Sequence, residues 1–363
     1  MKKILSNAAI IVTTMALMSC GSSNRKTNTP DESPEFTIAG YDYDRVSAIR
    51  DGKVSIEGAD VSFEVSNIYS LNRSAFGVDQ KYDISEMGLI PYITKYINAD
   101  YRDYTLLPIF ISRTFRHRNI YVHADSGIEN PEDLIGKRVC TPGYTSSSNT
   151  WIRGLLKDEY GVNAEDLVWI EASKSSDGGP QKTGETYYFD DDFPLEKGPE
   201  GVDESELLLG GQCGAIISAI TPKAHLDRNP KIRQLFPNAK KTEAAYFQKT
   251  GMFPIMHVVA IKTEVLKEEP WLAEAIFNMY SEAKSIAYKN LETTTVLRTT
   301  LPWAKDEYES TREIMGDNYW KYGIEDNRKE LEAIMRYVYE QGLVKSHIGF
   351  EEMFAPSTLN FHE

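Results

Sequence analysis

The sequence predicts an α/β protein, and two observations carry that expectation. Short apolar or β-branched runs recur at Phe36 to Tyr41, Val61 to Val65, Tyr82 to Ser85, Tyr104 to Ile111, Ile120 to His123, Arg138 to Thr141, Val168 to Ile170, Gly214 to Ser218 and Val258 to Lys262. Each is bounded by turn residues or by a helical pattern, as strands are. Segments with apolar residues at helical spacing lie between them, and such alternation implies a mostly parallel sheet with helices on both faces.

At the N-terminus, Met1-Lys2-Lys3-Ile4 is a short basic start, Ala8 to Leu17 is mostly apolar, and Leu17-Met18-Ser19-Cys20-Gly21 has the form of a lipobox. A lipoprotein signal peptidase cuts before such a cysteine, which then carries lipid. Residues 1–19 are therefore expected to be a lipoprotein signal peptide, Cys20 the lipidation site and 20–35 a polar, Pro-containing flexible tether. The apolar run is shorter than the ~20 residues that a bilayer-spanning helix needs. These features place the body in the cell envelope, extracytoplasmic and held to the membrane by its lipid.

Ligands in open α/β sheets bind beyond the carboxyl ends of the strands. The first strand is followed by Tyr41, Asp42 and Arg45, the third by Ser85 and Glu86, and the fourth by Ser112, Arg113, Arg116 and His117. Farther on, Thr145-Ser146-Ser147-Ser148 supplies N-cap residues to a helix in which Trp151, Ile152, Leu155 and Leu156 recur on one face before Gly161 ends it. The free N–H groups of a helix start and the fork of an arginine both suit a carboxylate. Tyr41, Arg45, Ser85, Glu86, Ser112, Arg113, Thr145, Ser146 and Ser147 are accordingly candidates to line a ligand site. Two later stripes, Trp271, Leu272, Ala275, Ile276, Met279, Ala283, Ile286 and Ala287 behind Pro270, and Leu331, Ile334, Met335 and Val338 before Gly342, are the core faces of helices.

One segment breaks the alternation. Residues 171–206 are rich in Asp, Glu, Gly, Ser and Pro, include Asp190-Asp191-Asp192, and lack either period over most of their length. A loop this long inside a compact domain is uncommon. Tyr187, Tyr188, Phe189 and Phe193 are more aromatics than a disordered stretch carries, so a lid, a surface hairpin and a mobile loop all remain open. The aspartates do not have EF-hand spacing, and no metal is expected.

Composition narrows the function classes. The formal charge is −14, and processing removes Lys2 and Lys3 to leave −16; an acidic surface argues against nucleic acid. The length exceeds one typical domain. With Cys20 lipidated, Cys140 and Cys213 remain, enough for at most one disulfide in an oxidising compartment. No Cys/His cluster has zinc spacing, no nucleophile elbow, P-loop or HExxH motif occurs, and no cofactor is expected.

Several segments together resemble the 4,5-dihydroxyphthalate decarboxylase family and its substrate-binding-protein relatives. They include Tyr43-Asp44-Arg45, Tyr82-Asp83-Ile84-Ser85-Glu86-Met87, Leu107 to Arg113 with Phe115-Arg116-His117, Pro131 to Val139, Trp151-Ile152-Arg153-Gly154 and Phe253-Pro254-Ile255-Met256-His257. Tyr322 to Arg328, Tyr339 to Leu343 and Phe354-Ala355-Pro356 extend the likeness over nearly the whole mature chain. The resemblance implies a two-lobed type II periplasmic-binding-protein-like fold with a ligand cleft between lobes: 36–118 as the first part of lobe 1, 119–252 as lobe 2 with the acidic insert, and 253–363 as the return to lobe 1 with C-terminal helices. Trp151 and His257 join Tyr41 as groups that would stack on a ring or bond a hydroxyl. Some positions depart from the family pattern. Gly88 stands where relatives carry serine, Tyr339 where histidine is common, and Cys140 to Tyr144 replaces a Gly-x-Pro-Glu-Tyr-like turn.

Two functions fit. One is a solute-binding lipoprotein that captures a small carboxylated molecule for an ABC-type permease. The other is a decarboxylase, which must protonate the ring carbon that loses carbon dioxide; Glu86, His117 and His257 are its candidate acids. The export signal favours the first.

Overall fold

The computed structural model describes residues 33–179, 186–188, 190 and 192–363. The expected signal peptide, Cys20 and most of the expected tether lie outside the described residues, as do Phe189 and Asp191 of the acidic insert. In chain order the strands are β1 Glu35–Gly40, β2 Asp60–Val65, β3 Ile84–Gly88, β4 Tyr104–Leu106, β5 Ser112–Arg113, β6 Ile120–His123, β7 Arg138–Thr141, β8 Val168–Glu171, β9 Leu195–Lys197, β10 Ala215–Ile217, β11 Ile232–Gln234 and β12 Ile255–Lys262.

They form two six-stranded sheets. The first runs β2-β1-β3-β12-β4, with β5 also paired to β12; the second runs β11-β6-β10-β7-β8-β9. Strands β1, β2 and β3 are mutually parallel, as are β7 to β10, but β12 runs against β3, β4 and β5, and β6 runs against β10 and β11. The sheets are thus mixed rather than mostly parallel. In each case the reversed strand is the first one laid down after the chain passes from one sheet to the other.

The core follows the sheets. One apolar cluster lies outside the first sheet, where Ile38, Ile84 and Ile261 meet Ile276 and Tyr280 of the helix Leu272–Glu292. Another covers the second sheet, with Ile170 and Ile216 against Leu207 and Leu208. The largest belongs to both sheets: Met87, Ile90 and Val258 join Val122, Val139 and Ala215 through Trp151 and Leu155 of the helix Ser147–Tyr160 and Ile334 and Val338 of the helix Arg328–Glu340. Residues 34–363 accordingly make one compact unit.

The Ser147–Tyr160 helix starts and stops on its predicted residues. Ser146 Oγ accepts from Asn149 N–H at 3.0 Å, and the helix ends at Gly161 with φ of +67°. Cys140 on β7 is bonded to Cys213, just before the neighbouring β10, with Cα atoms 5.9 Å apart. Within the acidic insert, Leu195–Lys197 adds an edge strand to β8, and Asp203 caps the helix Glu204–Leu209.

Candidate functional site

The site is built on β3 and β12. Glu86 lies opposite Val259 in the antiparallel pair, so His257, two residues along β12, shares its face. The carboxylate is buried, at 2% exposure, and its Oε1 lies 2.6 Å from His257 Nδ1. Tyr43 donates its hydroxyl to the same Oε1 at 2.8 Å, and Tyr41 N–H donates to Oε2 at 2.9 Å. These donors satisfy a carboxylate that would be costly to bury alone. Gly40 makes the approach of β1 feasible, because a Cβ there would come within 3.0 Å of Glu86 Oε2.

His257 is held but not enclosed. Its side chain keeps 18% exposure, and Nε2 makes no hydrogen bond among the described residues. The Tyr41 ring stacks on the imidazole at 6.0 Å and 21°, while its hydroxyl accepts from Ile68 N–H. Burial raises the pKa of the Tyr41 hydroxyl, with the Glu86 charge adding to it, and the same two causes raise Tyr43 well above the ordinary tyrosine value. Ser112 opposes His257 across β5 and hydrogen-bonds Tyr43. Tyr41, Glu86, Ser112 and His257 thus come together.

Other expected residues support the site from behind. Arg45 is clamped between the rings of Tyr43 and Trp320, 3.9 and 4.0 Å from their centroids, and donates to Ile111 O. It positions Tyr43 and offers no free fork to a ligand. Ser85 is fully buried and donates to the Glu86 carbonyl, because neighbours in a strand face opposite sides. Ser146 spends its oxygen on the helix cap, and Ser147 Oγ accepts from Ile90 N–H.

Three expectations are corrected. Arg113 is buried and committed: it donates to Glu330 Oε1 at 2.8 Å, Asn327 Oδ1 at 2.6 Å and the Phe253 and Lys321 carbonyls. It pins the point where the chain returns to the first sheet. Trp151 has no exposure and donates Nε1–H to Ile255 O, with its ring edge on Tyr337, so it belongs to the core. His117 is buried between Phe236 and Tyr246, and burial, reinforced by the Arg118 charge, pushes its pKa down to about 4. A neutral histidine in an apolar slot is no proton donor at neutral pH. Tyr339, one of the departures from the family pattern, is an exposed residue stacked on His347.

An open cavity of about 1260 Å³ adjoins these groups without including Glu86 or His257. Its walls include Asn67, Tyr69, Asn72, Pro91, Thr145 and Asp177. Asn72 Oδ1 accepts from Gly88 N–H at the end of β3, which joins the cavity wall to the dyad strand. Across the cavity, Tyr69, on the helix Ile68–Ala75, hydrogen-bonds Asp177 of the acidic insert; burial and that aspartate push its pKa up to about 12. Sequence reasoning did not single out Asn72 and Tyr69, which look like ordinary helix surface. The acidic partners of Arg113 and Arg118, Glu330 and Glu243, are far away in sequence.

No family model matches the chain. Over 325 residues it is 31% identical to 4,5-dihydroxyphthalate decarboxylase of Comamonas testosteroni, covering 90% of this chain and 97% of the relative. The chain belongs to the 4,5-dihydroxyphthalate decarboxylase family. The Pseudomonas putida 4,5-dihydroxyphthalate decarboxylase is 31% identical over 213 residues, which are 59% of this chain and 81% of that one. Among solved structures, the periplasmic aliphatic sulphonate binding protein SsuA of Escherichia coli superposes with a TM-score of 0.50 at 13% identity, covering 90% of this chain and 99% of that one. This member of the decarboxylase family therefore has the two-lobed fold of periplasmic binding proteins. Among the described residues no helix is long and apolar enough to cross a membrane, and no group of metal-ligating side chains occurs.

Proposed function

We propose that the chain is an extracytoplasmic, lipid-anchored binding protein that captures a small carboxylated aromatic molecule for a membrane importer. The observation that carries this reading is His257: its ring is stacked on Tyr41, fixed through Nδ1 by Glu86 and left with Nε2 open. A ligand ring has Tyr41 as a platform, and a phenolic hydroxyl has Nε2 as a partner. The lipobox supports the location, and so does the Cys140–Cys213 disulfide, which suits an oxidising compartment. A binding-protein fold at 13% identity does not by itself assign transport.

The same dyad favours one second reading, decarboxylation. A proton on His257 Nε2 would pass to the ring carbon that bears the carboxylate. The bond to that carboxylate then breaks, its electron pair returns to the ring and carbon dioxide leaves; water restores the proton to the imidazole. Glu86 would stabilise the protonated imidazole and fix its orientation.

Purified protein incubated with 4,5-dihydroxyphthalate, followed by thermal shift and by carbon dioxide release, separates the two. We expect ligand-induced stabilisation without multiple turnovers, and weaker binding in Glu86→Gln and His257→Ala. Sustained carbon dioxide release that either substitution abolishes while binding persists would overturn transport and establish the enzyme.

A further inference from the structure

Arg113, Arg116 and Arg118 lie along the six residues that lead from β5 into β6, and only the middle one has no carboxylate within ion-pair distance among the described residues. Arg113 is paired with Glu330, and Arg118 with Glu243. Among the described residues Arg116 has neutral acceptors alone: Nε donates to Met256 Sδ at 3.3 Å, and Nη1 to Asn119 Oδ1 at 3.3 Å and Ala219 O at 3.2 Å. Sulfur is a weak acceptor, and both oxygen contacts are long for a guanidinium. Burial pushes the Arg116 pKa down to about 10 against the partly compensating charge of Glu243, which lies beyond hydrogen-bond reach, and leaves the guanidinium charged at neutral pH. A cation so placed is stabilised by an anion.

Its position is a junction. Met256 is the residue before His257, Ala219 follows the carboxyl end of β10, and Ser148, in the first turn of the fourteen-residue serine-capped helix, also donates to Met256 Sδ, at 3.4 Å. Guanidinium and serine hydroxyl thus converge on one sulfur that satisfies neither of them well. Arg116 keeps partial access to solvent. Glu86 makes the dyad end of the site anionic, so a ligand carboxylate gains by lying away from it.

We propose that Arg116 is the receptor for the ligand's carboxylate, displacing Met256 Sδ and holding the anion against the first turn of the Ser147–Tyr160 helix. The assignment rests on the cleft reading above and sets its ligand class: an aromatic acid whose hydroxyl edge meets His257 and whose carboxylate meets Arg116.

The test is calorimetry with 4,5-dihydroxyphthalate, 3,4-dihydroxybenzoate and the neutral 3,4-dihydroxybenzamide. Wild-type protein should prefer the benzoate to the benzamide by at least tenfold, and Arg116→Gln should remove that preference while leaving benzamide affinity within twofold. A purely structural arginine would weaken acid and amide alike. If Arg116→Gln does not fold, Arg116→Lys is compared instead, with about tenfold weaker binding of the acids expected at an unchanged melting temperature. Unaltered acid preference in the folded variant overturns the Arg116 assignment and leaves the cleft reading standing. Failure of the wild type to bind either acid overturns both.

Discussion

Removing the Arg113 side chain should damage the fold and spare the ligand. The Arg113–Glu330 pair is buried, with side-chain exposures of 1% and 6%, and Glu330 Oε1 also accepts from Phe253 N–H at 3.0 Å. In Arg113→Ala the Glu330 charge stays behind without its cation. The Phe253 carbonyl and Asn327 Oδ1 each lose a donor as well. Breaking a buried ion pair from one side costs about 3 to 5 kcal/mol, so the unfolding free energy should fall by about that amount. Replacing both partners, Arg113→Met with Glu330→Met, removes both charges and should recover part of the loss, the remainder being the Phe253 and Asn327 polar groups that stay without partners. Urea unfolding followed by circular dichroism measures each variant. Wild-type stability in Arg113→Ala, together with a tenfold loss of affinity for a carboxylated ligand, would refute the reasoning and return Arg113 to the cleft.

His117 makes stability depend on acid. Its pKa is about 4 in the folded protein and about 6.5 in an unfolded chain, so between those values the unfolded state binds more protons. Stability should therefore fall as pH drops from 6.5 towards 4, by at most about 3 kcal/mol from this group, and not change on its account above pH 6.5. His117→Leu should flatten that part of the profile, and equal slopes in urea titrations of the two proteins at pH 7 and pH 4.5 would count against it. The Cys140–Cys213 bond spans 73 residues. Loop-closure entropy for that length is about 4 kcal/mol, so the double Cys→Ser variant should lose a large part of that; a loss under about 1 kcal/mol by urea titration would mean that the unfolded chain is little constrained by the bond.

Local rules made much of the fold legible before the structure. Ile120–His123 and Arg138–Thr141 are apolar runs with clear borders, and Ser146 and Gly161 bracket their helix by cap chemistry. The expected strand from Tyr104 to Ile111 stops at Leu106, because Pro108 cannot donate to a ladder. Strands Leu195–Lys197 and Ile232–Gln234 escaped notice because each is three residues long at a sheet edge, where little apolar pattern is required. The site was legible as residue types but not as an arrangement. Glu86 and His257 stand 171 residues apart, and only the register of β3 against β12 brings them to one face. Likewise nothing local tells which arginine between Arg113 and Arg118 will meet a distant glutamate.

The apolar cluster common to both sheets bears on how far the two sheets can part. Swinging the sheets apart as rigid halves would bring Met87, Ile90, Trp151 and Val258 towards water, at about 25 cal/mol for each Å² of apolar surface uncovered. That toll makes wide opening rare. The Tyr69–Asp177 contact in the cavity wall, by contrast, involves no residue of that cluster and can break without uncovering it. Motion is thereby steered to the cavity wall, while the core behind Glu86 and His257 stays closed.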